Sequence, residues 1–140
     1  MTKDAKSIMK MISNNDVAFV DFRFTDPRGK WQHTAQTSRS INEDVLNDGI
    51  LFDGSSIAGW KSIDDSDMNL KPDLTSAVLD PFTAQPNLIL FCDCIEPTTG
   101  KNYDRDPRST ALRAEKHLKS SDIGDIAYFG PEAEFFVFDD

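Results

Sequence analysis

Apolar residues recur at helical spacing near the start of the chain, where Ala5, Ile8, Met9 and Ile12 predict a short amphipathic helix. Thr2 can cap it, and Asn14-Asn15-Asp16 ends it. The period then drops to two. From Val17 to Thr25 the set Ala18, Val20, Phe22 and Phe24 alternates with a more polar set, and Asp26-Pro27-Arg28-Gly29-Lys30 turns the chain back through Trp31 to Thr37. This predicts a hairpin with one core-facing side. A helical turn capped by Ser40 and stopped by Asn47-Asp48-Gly49 follows, and Ile50-Leu51-Phe52 then delivers Asp53 into the loop Gly54-Ser55-Ser56. Residues 63–73 read as dense acid and turn. Strands are expected at Ala77–Leu79 and Leu88–Ile95, and Asp106-Pro107 starts a helix whose face is Ala111, Leu112, Glu115 and Leu118. A last strand is expected after Gly124. The order α-β-β-α-β-β, then α-β, describes an α+β unit and the opening of a second, with a seam near residues 97–106.

That last stretch carries the first candidate chemistry. Read as a strand, it puts Ala127, Phe129, Ala133, Phe135 and Val137 on one apolar face and turns Glu132 and Glu134 to the other. Two carboxylates about 6–7 Å apart on a partly covered sheet repel by roughly 2–3 kcal/mol at an effective dielectric near 20. Solvent, a basic partner or a bound cation has to relieve that, and Mg²⁺ or Mn²⁺ takes oxygen ligands of this kind. The plain alternative is a half-exposed strand that happens to carry acids. A third ligand is missing, and a strand this apolar is not expected to end a domain, so the sequence reads as cut.

Composition narrows the classes. Thirty-nine per cent hydrophobic and 28% charged residues fit a globular chain. Fifteen basic against 24 acidic residues give a net charge of −9, which argues against nucleic acid and against an anionic membrane surface as partners. No apolar run approaches the length of a membrane span, and no signal peptide is evident, so a cytoplasmic location is the expectation. Cys92 and Cys94 stand at i, i+2 on a strand, a spacing unsuited to a disulfide, and with no companion ligands they read as small buried apolar residues.

Asp53-Gly54-Ser55-Ser56 has no histidine partner for a nucleophile role. His33 and His117 fall on a strand and at a helix end. The loop reads locally as an Asx turn, although an acid placed there can also serve a cationic ligand as a base. Asp64, Asp65 and Asp67 lack the spacing of a calcium loop, and neither phosphate-cradling glycine motif occurs.

Taken in order, several stretches resemble the N-terminal part of bacterial type I glutamine synthetase: Val20-Asp21-Phe22-Arg23-Phe24-Thr25-Asp26, Phe52-Asp53-Gly54-Ser55-Ser56-Ile57 with Trp60, Ser66-Asp67-Met68 with Pro72-Asp73, Asp80-Pro81-Phe82, Tyr103-Asp104-Arg105-Asp106-Pro107-Arg108, and Gly130-Pro131-Glu132-Ala133-Glu134-Phe135-Phe136. Ala133 departs from the family, where proline is common. The resemblance implies a β-grasp N-terminal domain over residues 1–102, then the first helix and strand of a truncated catalytic domain over 103–140. It implies ATP-dependent ligation of ammonia to glutamate through γ-glutamyl phosphate, with Mg²⁺ or Mn²⁺ as cofactor and ATP as co-substrate. Under it, Glu134 ligates the metal beside glutamate and Glu132 the metal bridging the ATP phosphates. Asp53 binds ammonium and takes its proton, with Ser56 and Asp67 near the same pocket. It further implies a homo-oligomer of stacked hexameric rings, in which the Asp53 loop serves the neighbouring subunit's site. The alternative is an inactive β-grasp interaction or assembly module, or a truncated product, and the 140-residue chain by itself is expected to be inactive.

Overall fold

A computed structural model describes residues 3–139. The chain divides into two compact units, Met1–Thr110 and Ala111–Asp140.

The first unit is an α+β domain built on one mixed sheet. Helix α1 (Ala5–Asn14) starts from Asp4, whose carboxylate accepts from the Ser7 amide at 2.8 Å while the Ser7 hydroxyl accepts from the Asp4 amide. Thr2, the expected cap, lies outside the described residues, and Asp4 occupies the capping position because Ser7 stands three residues on. Ala5, Ile8 and Ile12 form the buried stripe. Strands β1 (Phe19–Thr25) and β2 (Trp31–Thr37) make the expected antiparallel hairpin, with Val20, Phe22 and Phe24 buried. Its turn is held by the Asp26 carboxylate, which accepts from the Arg28 and Lys30 amides at 2.9 Å each.

Helix α2 (Glu43–Asp48) is capped by Asn42 rather than Ser40, because the Asn42 side chain reaches the Val45 amide at 2.8 Å. It ends at Gly49, which has φ +92° and would place a Cβ 2.3 Å from the Leu70 carbonyl oxygen. No other residue fits that position. Strand β3 (Ile50–Asp53) pairs antiparallel with β4 (Asp67–Pro72). The dense acids of residues 63–73 predict turn rather than strand. In fact Met68, Leu70 and Pro72 alternate inward and are buried, and their alternation outweighs the acids around them.

After the two-residue β5 (Val78–Leu79) comes β6 (Asn87–Glu96), the long central strand. Its first half runs parallel to β1 and antiparallel to β5, and its second half runs antiparallel to β4 and to the short β7 (Lys101–Asn102). The main order is β2-β1-β6-β4-β3. Leu88, Leu90, Cys92 and Cys94 all point from β6 into the core, so both thiols are buried, unbridged and pushed up in pKa by desolvation. Full burial of each large apolar side chain there contributes about 1.5–3 kcal/mol.

Helix α3 (Pro107–Ser120) begins in the first unit. Asp106 is fully buried at its start, where it accepts from the Ser109 amide at 3.1 Å, the Ser109 hydroxyl at 2.5 Å and the Arg108 amide at 3.2 Å. Within the second unit, Ala111, Leu112 and Glu115 of the expected apolar face are exposed and Leu118 is half-buried. Residues 125–139 form neither helix nor strand. The strand expected at 127–137 is therefore absent, because no described strand pairs with it and an unpaired strand leaves its backbone bonds to water. Tyr128, Phe129, Phe135, Phe136 and Val137 are 82–90% exposed.

Candidate functional site

Asp53 sits at the end of β3, where the strand passes into a short 3-10 turn, Gly54–Ser56. Gly54 is buried there. A Cβ on it would lie 2.6 Å from Met68 Cγ and 3.0 Å from the Ser66 carbonyl oxygen, to which its own amide donates at 2.7 Å. This close passage fixes the residue on either side. The Asp53 carboxylate accepts from the Ser55 amide at 2.8 Å and from the Ser55 hydroxyl at 2.6 Å, an Asx turn as the local sequence suggested. The Ser55 hydroxyl first, and then its amide, hold the Asp53 carboxyl below the usual carboxylate range. At neutral pH it is an exposed, oriented anion.

The β3–β4 register sets Asp67 directly opposite Asp53, and Ser56 is exposed just beyond. Three residues named from the sequence are thus brought to one end of one strand pair. Like charges facing each other across two strands are unfavourable, so a cation is the complementary ligand for this edge. Beside it a hollow of about 380 Å³ is bordered by Asp64, Asp65, Asp67 and Glu96. Lys61 answers two of these acids, at 2.9 Å from Asp65 and 2.9 Å from Glu96.

Glu132 and Glu134 belong to the second unit and are exposed. Their oxygens are the right donors for a hard cation, but two are too few. Among the described residues no group of three or more His, Cys, Asp or Glu side chains is placed to hold a metal ion. The residues present therefore do not by themselves make a metal centre.

Two charged networks escaped the sequence reading. Buried Asp21 receives Arg23 at 2.8 Å and His33 at 2.6 Å, and Arg23 continues to Asp80 at 3.0 Å. Arg108, in the first turn of α3, pairs with Asp93 of β6 at 2.6 Å and with Asp73. The Asp21-x-Arg23 spacing on one strand face was the available signal for the first. Nothing local announced the second, which joins residues distant in sequence.

The model of the family described as "Glutamine synthetase, beta-Grasp domain" matches residues 16–97, more than half of the chain and the span that holds Asp53, Ser56 and Asp67. The chain belongs to the glutamine synthetase family. It is 60% identical over 137 residues to a glutamine synthetase of Azospirillum brasilense, covering 98% of this chain and 29% of that protein. It is also 55% identical over 139 residues to a 3-hydroxylaminophenol mutase of Cupriavidus pinatubonensis, covering 99% of this chain and 30% of that protein. The fold aligns with the glutamine synthetase of Plasmodium falciparum at a TM-score of 0.75 and 23% identity, over 84% of this chain and 23% of the other. The chain spans about 29% of the length of the first of these relatives. Membership of the glutamine synthetase family accounts for the mixed sheet. Among the described residues, no helix is long and apolar enough to cross a membrane.

Proposed function

We propose that this chain is the N-terminal portion of a glutamate–ammonia ligase, with the Asp53 edge as its ammonium site. The observation that carries the reading is the pair Asp53 and Asp67, opposed across β3 and β4 inside the span matched by the family. In the reaction, ATP phosphorylates the γ-carboxylate of glutamate, and ammonia attacks the resulting acyl phosphate. Ammonium must first be held and deprotonated. Asp53, ionised and aimed by Ser55, attracts the cation and accepts the proton, while Asp67 adds negative field and Ser56 lies close by. A divalent cation, Mg²⁺ or Mn²⁺, supplies charge neutralisation for phosphoryl transfer. Glu134 would hold the ion beside glutamate and Glu132 a second ion at the ATP phosphates, with their remaining ligands in the part of the relatives that this chain does not span. That part also contains most of the ATP site, and the catalytic domain begins near residue 103. The enzyme works in the cytoplasm as a homo-oligomer in which Asp53 serves a neighbouring subunit's site.

The test is a chimera in which residues 1–140 replace the matching segment of the Azospirillum brasilense glutamine synthetase. It is expected to make glutamine from glutamate, ammonium and ATP. Asp53→Asn in that chimera should lower kcat about 10²-fold and raise the ammonium KM, since a positioned base contributes roughly 10²–10⁴-fold. An assembled chimera without ligase activity sinks the proposal. Conversion of 3-hydroxylaminophenol in its place would move the chain to the mutase's activity.

A further inference from the structure

The Lys61 side chain is only 9% exposed. Its Nζ lies 2.9 Å from Asp65, 2.9 Å from Glu96 at the end of β6, and 5.5 Å from the centre of the Tyr103 ring. Hydrogen bonds to Glu96 first, then to Asp65, raise its pKa and keep it charged. Its stem packs the other way. A Cβ built on Gly54 would meet Lys61 Cγ at 3.2 Å on one side and Met68 Cγ at 2.6 Å on the other. One side chain therefore borders the residue next to Asp53 and, through its head group, ties the loop of residues 54–66 to β6.

The residue before it is fixed independently. Trp60 is buried among Phe24, Phe52 and Tyr103, at ring-centroid distances of 5.6, 6.1 and 5.5 Å. The Tyr103 hydroxyl donates to the Trp60 carbonyl at 2.8 Å, and Arg105 donates to the Gly59 carbonyl at 2.7 Å. These contacts anchor the middle of the loop. The backbone links that segment to the turn through the Ile57 amide, which donates to the Gly54 carbonyl at 3.2 Å, and the Trp60 amide, which donates to the Ile57 carbonyl at 3.1 Å. Lys61 adds a side-chain contact at Gly54 to this link.

We infer that Lys61 is a positioning residue for the Asp53 carboxylate, its stem packed at Gly54 and its head group held by Asp65 and by Glu96 at the end of β6. Its kinetic consequence rests on the ammonium reading of Asp53. Field and position pull in opposite directions here, which makes the inference testable by sign. Removing a cation from an acidic edge would, by field alone, tighten ammonium binding. Loosening the turn would weaken it.

Two measurements separate the cases. In the 140-residue chain, Lys61→Met should speed amide exchange at Gly54 and Ser55 by about tenfold or more while Val20 and Leu90 keep their protection, and Lys61→Arg should restore most of it. In the chimera, Lys61→Met should raise the ammonium KM about three- to tenfold and leave those of glutamate and ATP within about twofold. Unchanged protection at Gly54 and Ser55, or an equal loss across β1 and β6, would overturn the positioning role. So would an ammonium KM that falls. Local loss of protection with an unchanged ammonium KM would uphold the anchoring and overturn the ammonium role of Asp53.

Discussion

The two halves of the candidate chemistry lie in regions of opposite character. Around Asp53, several neighbouring positions are constrained: Gly54 against Met68, the carboxylate against Ser55, and Trp60 against three aromatic rings. Around Glu132 and Glu134, the apolar residues that would form a core are themselves exposed, Phe135 at 82% and Phe136 at 87%. Both regions have comparable hydrophobic content and acidic pairs. The difference is the presence of partners. Alternation of apolar residues describes what a segment can bury and not whether anything is there to cover it.

The largest expected contrast sets Phe22→Ala, at a fully buried position of β1, against Phe136→Ala. The first should cost about 3–5 kcal/mol and the second less than about 0.5 kcal/mol, read from urea unfolding of the 140-residue chain. A comparable loss from Phe136→Ala would mean that residues 125–139 do pack in solution. A smaller effect is expected at the start of α3. Asp106→Ala leaves the Ser109 amide and hydroxyl without their acceptor in a fully buried position and should cost about 1–3 kcal/mol in the same assay. An unchanged midpoint would show that the helix start is not tied to the sheet.

The smallest is a pH effect on Asp73. Burial pushes this carboxyl up, but hydrogen bonds from the Thr75 hydroxyl and amide, together with Arg108, carry it below its ordinary value of 3.8. A folded-state pKa below the unfolded one means stability that is present above pH 3.8 and lost as pH falls through the lower folded value. The urea midpoint should thus fall with acidification below that point, and Arg108→Met should shrink the dependence. An identical acid profile in the variant would remove Arg108 from the explanation.

Much of the first unit was legible because its signals are local. The β1–β2 hairpin has a turn with Pro27 and Gly29, α2 stops at a glycine that nothing else could replace, and α3 starts at Asp106-Pro107. Strand β4 was missed because acids and Pro72 masked a three-residue alternation, and Pro72 is tolerated at the strand's last position. The Asp53 loop was legible as a place for an acid to serve a cation, while its ammonium role and the choice of Ser56 and Asp67 came from the family resemblance; the β3–β4 register explains why Asp53 and Asp67 lie opposite each other. The strand at 127–137 failed for the opposite reason, since its pattern was strong and its partners were absent. Lys61 was not legible at all, because its meaning depends on Glu96 and Tyr103, far along the chain.

Strand β6 has a consequence for how such a chain is made. Its first half closes against β1, which is synthesised near the beginning, and its second half closes against β4. As the polypeptide leaves the ribosome, the β1–β2 and β3–β4 ribbons can each zip locally, but the first cannot complete its pairing with β6 until residue 91 has emerged, nor the second until residue 95 has. For most of that interval the nascent chain carries two half-made surfaces awaiting a single late strand. Folding is therefore timed by a central strand that is translated late, and slow passage through the codons for residues 87–96 would lengthen the period in which the chain is open to a chaperone or to its neighbours.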